Sequence, residues 1–206
     1  MKKLFIALCL TVLYFGATAQ TATNKNNFSG GFGFTEYNGS LGSSWLVFNE
    51  EWYGVLRLSY SRYINPSFDA HIFVTTGDYG HCQDDNPDTS IIRFRTRLTV
   101  IAATLKYKFA NGYIFKEDAK FSPFVYAGAA MDFARDIWHT RIGANNGNYL
   151  TFNWGLGLTY NVTDRIQFTY NLGFGCFTTD AITFDYNPHG TKDMYMQNSL
   201  SIGYNF

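Results

Sequence analysis

Residues 150–177 read LTFNWGLGLTYNVTDRIQFTYNLGFGCF, and this stretch decides the fold. Bulky apolar residues alternate with small or polar ones along both halves, and a polar turn at 161–165 separates the halves. Because a β-strand points successive side chains to opposite faces, the alternation predicts a hairpin with one apolar face and one polar face. The apolar face comprises Leu150, Phe152, Trp154, Leu156, Leu158, Tyr160, Ile166, Phe168, Tyr170, Leu172, Phe174 and Cys176.

The sizes of the side chains indicate which face points inward. The polar rows are mostly Gly, Thr and Asn, which are too small to fill the interior of a soluble barrel. The bulky rows are rich in aromatic residues, as the lipid-facing surface of a membrane barrel is. The hairpin therefore predicts a barrel with lipid outside and a narrow polar lumen. A secreted lipocalin-like barrel, with apolar side chains around a ligand, is the competing fold.

The first residues have the pattern of an export signal. Lys2 and Lys3 precede an apolar run at 4–15, and 17–19 read Ala-Thr-Ala, a small-x-small cleavage site. The apolar run is too short to cross a bilayer as a helix. We therefore predict a cleaved signal peptide at 1–19 and one barrel domain at 20–206.

Composition and charge agree with an exported β-protein. The chain holds 20 Phe, 15 Tyr and 19 Gly against only 4 Pro, a bias typical of strands. Loss of the two signal-peptide lysines takes the formal charge from zero to −2. This near-neutral balance gives no reason to expect a nucleic-acid partner. Cys82 and Cys176 remain in the mature chain, and an oxidising compartment would permit a disulfide between them.

Alternation along the rest of the chain predicts eight strands, each long enough to cross a bilayer at a tilt. They lie at 28–37, 53–64, 68–77, 91–109, 121–133, 150–160, 166–177 and 194–206. Long loops near 45, 84, 141 and 185 alternate with short turns near 66, 115 and 163. The long loops would face outside and the short turns the periplasm. The predicted fold is an all-β, eight-stranded, antiparallel, up-and-down transmembrane β-barrel.

The fourth strand, 91–109, departs from the pattern. Arg93, Arg95 and Arg97 share one face, and an arginine that faces lipid at mid-bilayer costs about 2–4 kcal/mol. We therefore predict that these arginines point inward, and that a β-bulge near 102–104 restores an apolar outer face further along. This places three apolar residues of the first half outward, namely Phe94, Leu98 and Val100.

Charged residues then gather inside the predicted barrel. An eight-stranded barrel is just wide enough for its own side chains to fill it. The charges favour a salt-bridged plug that blocks conduction, and a selectivity lining for anions is the alternative. The predicted lumen cluster consists of Arg57, Asp69, His71, Arg93, Arg95, Arg97 and Asp132.

No arrangement of residues points to catalysis. The four histidines, His71, His81, His139 and His189, have neither metal-ligand spacing nor an adjacent hydroxyl that pairs as nucleophile. We predict no catalytic residue, no metal and no cofactor. A group of acids at 78–88 is typical of a solvated loop, or of a cation-bridged contact with lipopolysaccharide phosphates.

The strand pattern and the C-terminal residues resemble a known family. Alternation through 28–206, ending on Leu200-x-Ile202-x-Tyr204-x-Phe206, is similar to the small eight-stranded outer-membrane barrels of Gram-negative bacteria. These include the membrane domain of outer-membrane protein A and the protein X group. The resemblance implies an outer-membrane location, with outer-membrane lipid and lipopolysaccharide as partners. It also implies that Leu200, Ile202, Tyr204 and Phe206 form the signal read by the barrel-assembly machinery.

Three functions are compatible with such a barrel. The first is a non-enzymatic surface protein whose four outer loops contact an unknown partner or support the envelope. The second is a narrow conduit for small molecules, which requires an apolar upper lumen when those molecules are apolar. Few apolar residues are predicted inside (Val55, Phe73 and Phe124), so the sequence disfavours that conduit. The third is a lipid-modifying enzyme, which requires a histidine or an acid beside a hydroxyl at the outer rim. The sequence favours the first.

Overall fold

The computed structural model describes residues 25–38, 52–82, 93–140, 146–178 and 193–206. The predicted signal peptide and the central parts of the four predicted outer loops lie outside these residues. The described chain forms eight β-strands: β1 (Asn26–Asn38), β2 (Tyr53–Tyr63), β3 (Phe68–Cys82), β4 (Arg93–Lys108), β5 (Phe121–Thr140), β6 (Gly147–Asn161), β7 (Ile166–Phe177) and β8 (Met194–Asn205).

The eight strands close into a barrel in chain order. Each strand pairs antiparallel with the next, and β1 pairs antiparallel with β8. Closure leaves no strand edge with unpaired backbone groups, which is the condition for a sheet to stand in lipid. The predicted up-and-down architecture is confirmed. Within the described parts of the chain, no helix is long and apolar enough to cross a membrane.

Side-chain exposure along β6 shows which face lies inside. Leu150 and Phe152 are 54% and 51% exposed. The alternate residues, Thr151 and Asn153, are 1% and 3% exposed. The same alternation runs through β7 and the second half of β8. In these strands the bulky apolar row faces outward and the small polar row inward, and the lipocalin-like alternative is wrong.

Aromatic pairs lie at two heights on the outward apolar band. Near the short turns, the rings of Phe68 and Tyr107 lie 5.2 Å apart. Further up the wall, the rings of Trp154 and Phe174 stack at 4.4 Å, and the exposed Phe152 continues the band beyond them. Aromatic rings concentrate at membrane–water interfaces, as the lower pair does, and the exposed apolar band above it has the character of a surface that meets acyl chains.

The three short turns are each closed by one polar side chain. Asn65 accepts hydrogen bonds from the N–H groups of Ser67 and Phe68 at 2.9 and 2.8 Å. Asn111 and Thr163 play the same part in the second and third turns. Such side chains hold a turn by replacing a backbone acceptor. The connections near 66 and 163 are four residues each, whereas the one near 115 is longer and runs from 109 to 120.

Strand β4 differs from the prediction. Its pairing with β3 is regular from Tyr107 to Arg93, so the bulge expected near 102–104 is absent from this ladder. The register shift lies in β5 instead, where Ile137 is the extra residue opposite Arg95 and Thr96. Without a bulge, the odd-numbered residues of β4 face outward and the even-numbered residues face inward wherever the side chains are described. Its inward residues therefore include Phe94, Leu98 and Val100, which were predicted to face lipid.

Candidate functional site

The lower half of the lumen, near the short turns, holds buried polar and charged side chains. Arg57 is 3% exposed, Asp69 is 0% exposed, and His71 is also buried. Asp132 also lies inside, but higher on β5, because its hydrogen-bond partner Thr151 is the cross-strand neighbour of Phe177. Four of the seven predicted lumen residues, on β2, β3 and β5, therefore lie inside the barrel.

The ion pair of the lower lumen involves a residue that sequence reasoning missed. The Lys108 ammonium lies 2.6 Å from a carboxylate oxygen of Asp69. His71 is held by Thr104, whose hydroxyl lies 2.9 Å from its Nδ1 atom. Asp132 accepts a hydrogen bond from the Thr151 hydroxyl at 3.0 Å.

Two buried cations of the lower lumen lie against aromatic rings. The guanidinium carbon of Arg57 is 3.9 Å from the ring centre of Phe73. The ammonium of Lys106 is 4.0 Å from the ring centre of Phe124. A cation over a ring face is stabilised by the ring quadrupole, most strongly where water is excluded. Lys106 and Lys108 have the inward parity of β4, and that parity was the signal that could have found them.

The upper half of the lumen is closed by an aromatic layer, which we define as Tyr37, Tyr79, Phe94, Phe177 and Tyr195. All five side chains are buried. The Tyr37 ring meets those of Tyr79 and Phe94 edge-to-face, each at 5.2 Å. Tyr195 meets Tyr79 at 6.3 Å and Phe177 at 5.7 Å. Such edge-to-face contacts are the favoured geometry of packed aromatic rings. The expectation that few apolar side chains lie inside the barrel is therefore wrong.

Hydrogen bonds fix two rings of the aromatic layer. Tyr37 donates its hydroxyl to a carboxylate oxygen of Asp193 at 2.7 Å, and Tyr195 donates to the side-chain oxygen of Asn153 at 3.3 Å. Below the layer, a cavity of about 10 Å³ beside Ser59 and His71 has room for about one water molecule. A larger cavity of about 250 Å³ lies among residues of the short-turn end, including Lys108 and Thr163.

Two of the other three predicted lumen arginines lie on the outside of the barrel. Arg95 and Arg97 have the outward parity of β4, and the prediction that they point inward is wrong. The physical reason is depth. Both lie near the outer end of the strand, where the cost of an outward arginine falls to about 0–1 kcal/mol. Arg93 begins β4, and its side chain lies outside the described residues.

These two arginines share one carboxylate. Arg97 donates its Nε–H to one oxygen of Asp78 at 2.9 Å, and Arg95 donates its Nε–H to the other at 2.9 Å. Arg95 Nη2 also contacts Asp78. Arg135 on β5 is the cross-strand neighbour of Arg97 and is exposed. We call Asp78, Arg95, Arg97 and Arg135 the arginine rim. Asp78 was predicted to lie in a loop and belongs to β3.

The remaining candidates for chemistry do not come together. His139 and Asp136 form an exposed pair, with Nδ1 and Oδ2 2.7 Å apart. No hydroxyl of a described residue hydrogen-bonds to the His139 ring. Among the described side chains, no three His, Cys, Asp or Glu are grouped as metal ligands. Cys176 is a free thiol, and the side chain of Cys82 lies outside the described residues.

Comparison with known proteins supports the fold. No protein-family model and no curated protein sequence matches the chain. Solved structures do match. OprG of Pseudomonas aeruginosa is 12% identical, with 93% of this chain and 98% of that chain covered, at a TM-score of 0.59. Neisserial surface protein A is 14% identical, with 88% and 97% covered, at a TM-score of 0.55. A major outer membrane protein of Thermus thermophilus is 12% identical, with 88% and 99% covered, at a TM-score of 0.52. The chain therefore has the fold of the eight-stranded outer-membrane barrels.

Proposed function

We propose that this protein is a non-enzymatic barrel of the outer membrane of a Gram-negative bacterium, exported by a cleaved signal peptide. Its lumen is filled and does not conduct. It acts through its outer surface, where the four long loops contact a surface partner and the barrel wall contacts outer-membrane lipid and lipopolysaccharide, which supports the integrity of the envelope.

One observation carries this proposal, namely that the lumen is filled at two levels. The aromatic layer fills the upper half, and the Asp69–Lys108 pair with its neighbours fills the lower half. The two layers have opposite chemistry, so a solute that dissolves in one is excluded by the other. Function is then left to the exterior and to the loops.

A second candidate is a narrow conduit for small apolar molecules. The aromatic layer supports it, because an apolar upper lumen is what such a conduit requires. Passage would require the rings of Tyr37, Tyr79 and Tyr195 to separate. The closed packing and the charged lower layer favour the filled barrel over the conduit.

The lipid-modifying enzyme is less well supported. The His139–Asp136 pair would offer a base and the acid that orients it. A nucleophilic hydroxyl must also lie within hydrogen-bonding reach of the base, and the described residues supply none at this ring.

Assembly of the barrel would depend on its last strand. Leu200 and Ile202 are exposed on the outside, as a recognition signal requires. Phe206 exchanges two backbone hydrogen bonds with Asn26, at 2.8 and 2.9 Å, where β8 closes against β1. These contacts support the proposal that Leu200, Ile202, Tyr204 and Phe206 are read by the barrel-assembly machinery.

Two measurements test the proposed function. Single-channel recording of the purified mature protein in a planar bilayer should show no conductance steps, and liposomes containing it should not admit small apolar dyes faster than empty ones. Whole cells in which the loops near 45, 84, 141 and 185 are shortened one at a time should lose surface binding or envelope resistance to detergent. Regular conductance, or dye entry that saturates, would contradict the filled barrel. Unchanged surface behaviour of every loop variant would contradict the role of the loops.

A further inference from the structure

We propose that the arginine rim is a binding site for the phosphate group of a phosphorylated glycolipid in the outer leaflet. This inference rests on the proposed outer-membrane location and adds the lipid class and the residues that bind it. It concerns the outside wall of β3–β5 and does not depend on what the loops bind.

The rim lies at the height of lipid headgroups. Phe68 and Tyr107 pair near the lower interface, and Asp78 and Arg97 pair ten residues further up the same two strands. Ten residues extend about 34 Å along a strand, which at a tilt of about 40° is a rise of about 26 Å. The apolar band of an outer-membrane barrel is about 25 Å tall. The arginines therefore lie at the upper edge of the acyl region.

The rim has more positive charge than its own residues neutralise. Two guanidinium groups, of Arg95 and Arg97, share the Asp78 carboxylate, and with the exposed Arg135 beside them the four residues carry a formal net charge of +2. Arg97 and Arg135 are direct cross-strand neighbours, and like charges in that position repel. The Arg97 side chain is 59% exposed and donates only its Nε–H to Asp78. An anion between Arg97 and Arg135 would relieve the repulsion.

Asp78 arranges the two β4 arginines for such an anion. By accepting from both Nε–H groups, it holds the two guanidinium groups next to each other at the rim. The Tyr53 ring, 5.2 Å from the Arg95 guanidinium carbon, flanks the other side. Planar guanidinium groups bind phosphate oxygens with two parallel hydrogen bonds, which a point charge such as lysine cannot do.

A groove below the rim indicates that the anion belongs to a lipid. It has a volume of about 280 Å³ and is lined by Gly54, Leu56, Thr76, Gly77, Asp78 and Arg97. Gly54 leaves it open, because a Cβ there would meet no atom within 4 Å. The exposed Leu56 lies below the charged residues, at the level of the acyl chains. A soluble phosphate would use only the charged end of this groove, whereas a phosphorylated lipid would use both ends.

The test measures lipid retention by the folded full-length mature barrel. Native mass spectrometry in a non-ionic detergent would count molecules of diphosphoryl lipid A that remain bound, with dephosphorylated lipid A and phosphatidylglycerol as separate probes. The variant is R95Q/R97Q, which removes two charges and keeps side-chain size. Arg62→Gln is the matched control, because Arg62 is an exposed outward arginine at the opposite end of β2.

We expect the wild-type protein and Arg62→Gln to retain one diphosphoryl lipid A, and R95Q/R97Q to bind it at least about tenfold more weakly. Dephosphorylated lipid and phosphatidylglycerol should be retained weakly by all three proteins. Equal loss in Arg62→Gln, or equal retention by R95Q/R97Q, would overturn the site. Equal retention of dephosphorylated lipid would overturn the role of phosphate, and equal retention of phosphatidylglycerol would overturn the assignment to a glycolipid.

Folding of each variant is checked by its heat-dependent migration on a gel. If R95Q/R97Q does not fold, Arg135→Gln replaces it, because Arg135 makes no contact with Asp78 and its loss leaves that carboxylate paired. Arg135→Gln should also weaken retention of diphosphoryl lipid A, and unchanged retention would overturn the site. This outcome can be separated from the proposed function. If the loop variants lose surface binding but substitutions in the arginine rim do not change lipid retention, only the present inference is refuted.

Discussion

The lumen and the rim use the same residue types in opposite surroundings. Inside, Arg57 and Lys106 are buried against aromatic rings, and Asp69 is paired with Lys108. Outside, two exposed arginines share Asp78. A buried cation must have its partners built into the fold, whereas a cation at the interface can take them from water or lipid. The position of a charge across the wall and along the strand therefore decides whether it serves stability or binding.

The largest difference between the lumen and the rim is expected from substitutions at two adjacent residues of β4. Leu98→Arg places a charge beside the aromatic layer, where Leu98 is fully buried. We expect a loss of more than about 4 kcal/mol, enough to prevent folding, because an unpaired buried charge costs several kcal/mol. Arg97→Leu, one residue away and outward, should fold normally. The measurement is heat-dependent gel migration after refolding into detergent, and a folded Leu98→Arg protein would contradict the inward parity of β4.

The next comparison neutralises one carboxylate in each region. Asp69→Asn leaves the Lys108 ammonium without its partner at a buried site, and should lower the free energy of unfolding by about 3–5 kcal/mol. Asp78→Asn breaks contacts to arginines that are largely solvent-exposed, and should cost about 0–1 kcal/mol. Urea unfolding in lipid vesicles, followed by tryptophan fluorescence, measures both. If both variants lost the same free energy of unfolding, burial inside the barrel would not be what makes the Asp69 ion pair more stabilising than the Asp78 ion pairs.

A smaller effect is expected from one hydroxyl of the lower lumen. Thr104→Val keeps the shape of the side chain and removes the partner of the His71 ring. The buried ring nitrogen is then unsatisfied, and we expect a loss of about 1–3 kcal/mol. Thr99→Val is the matched control, because Thr99 lies outward on the same strand and bonds an exposed Thr76. Its loss should be within about 0.5 kcal/mol in the same unfolding assay.

The smallest effect on stability is expected at the groove. Gly54→Leu adds a side chain where no atom lies within 4 Å of a Cβ, so the free energy of unfolding should change by no more than about 0.5 kcal/mol. The same side chain would fill the space beside Leu56 and Arg97, and retention of diphosphoryl lipid A should fall. Full retention in a folded Gly54→Leu protein would place the lipid elsewhere on the wall.

The sequence alone determined most of the barrel. Seven strands have the faces that alternation predicts, because side-chain direction in a strand has a period of two and because bulky rows such as Leu150–Tyr160 contrast with rows of Gly, Thr and Asn. It also located Arg57, Asp69, His71 and Asp132 inside, since each lies on the polar row of its strand. Nothing beyond local pattern was needed for these residues.

Only the tertiary structure decided strand β4 and the sites that depend on it. In the outer half of the barrel, an apolar row of β4 points inward to the aromatic layer. There the polarity of a residue no longer predicts whether its side chain faces the lumen or the lipid. Whether Arg95 and Arg97 are costly outside depends on their depth, which the strand's own pattern does not contain. Their shared partner, Asp78, and the partner of Asp69, Lys108, are set by the β3–β4 register. Cross-strand pairing brings together residues that are far apart in the chain. It therefore decides which charges are paired inside the lumen and which are paired at the rim.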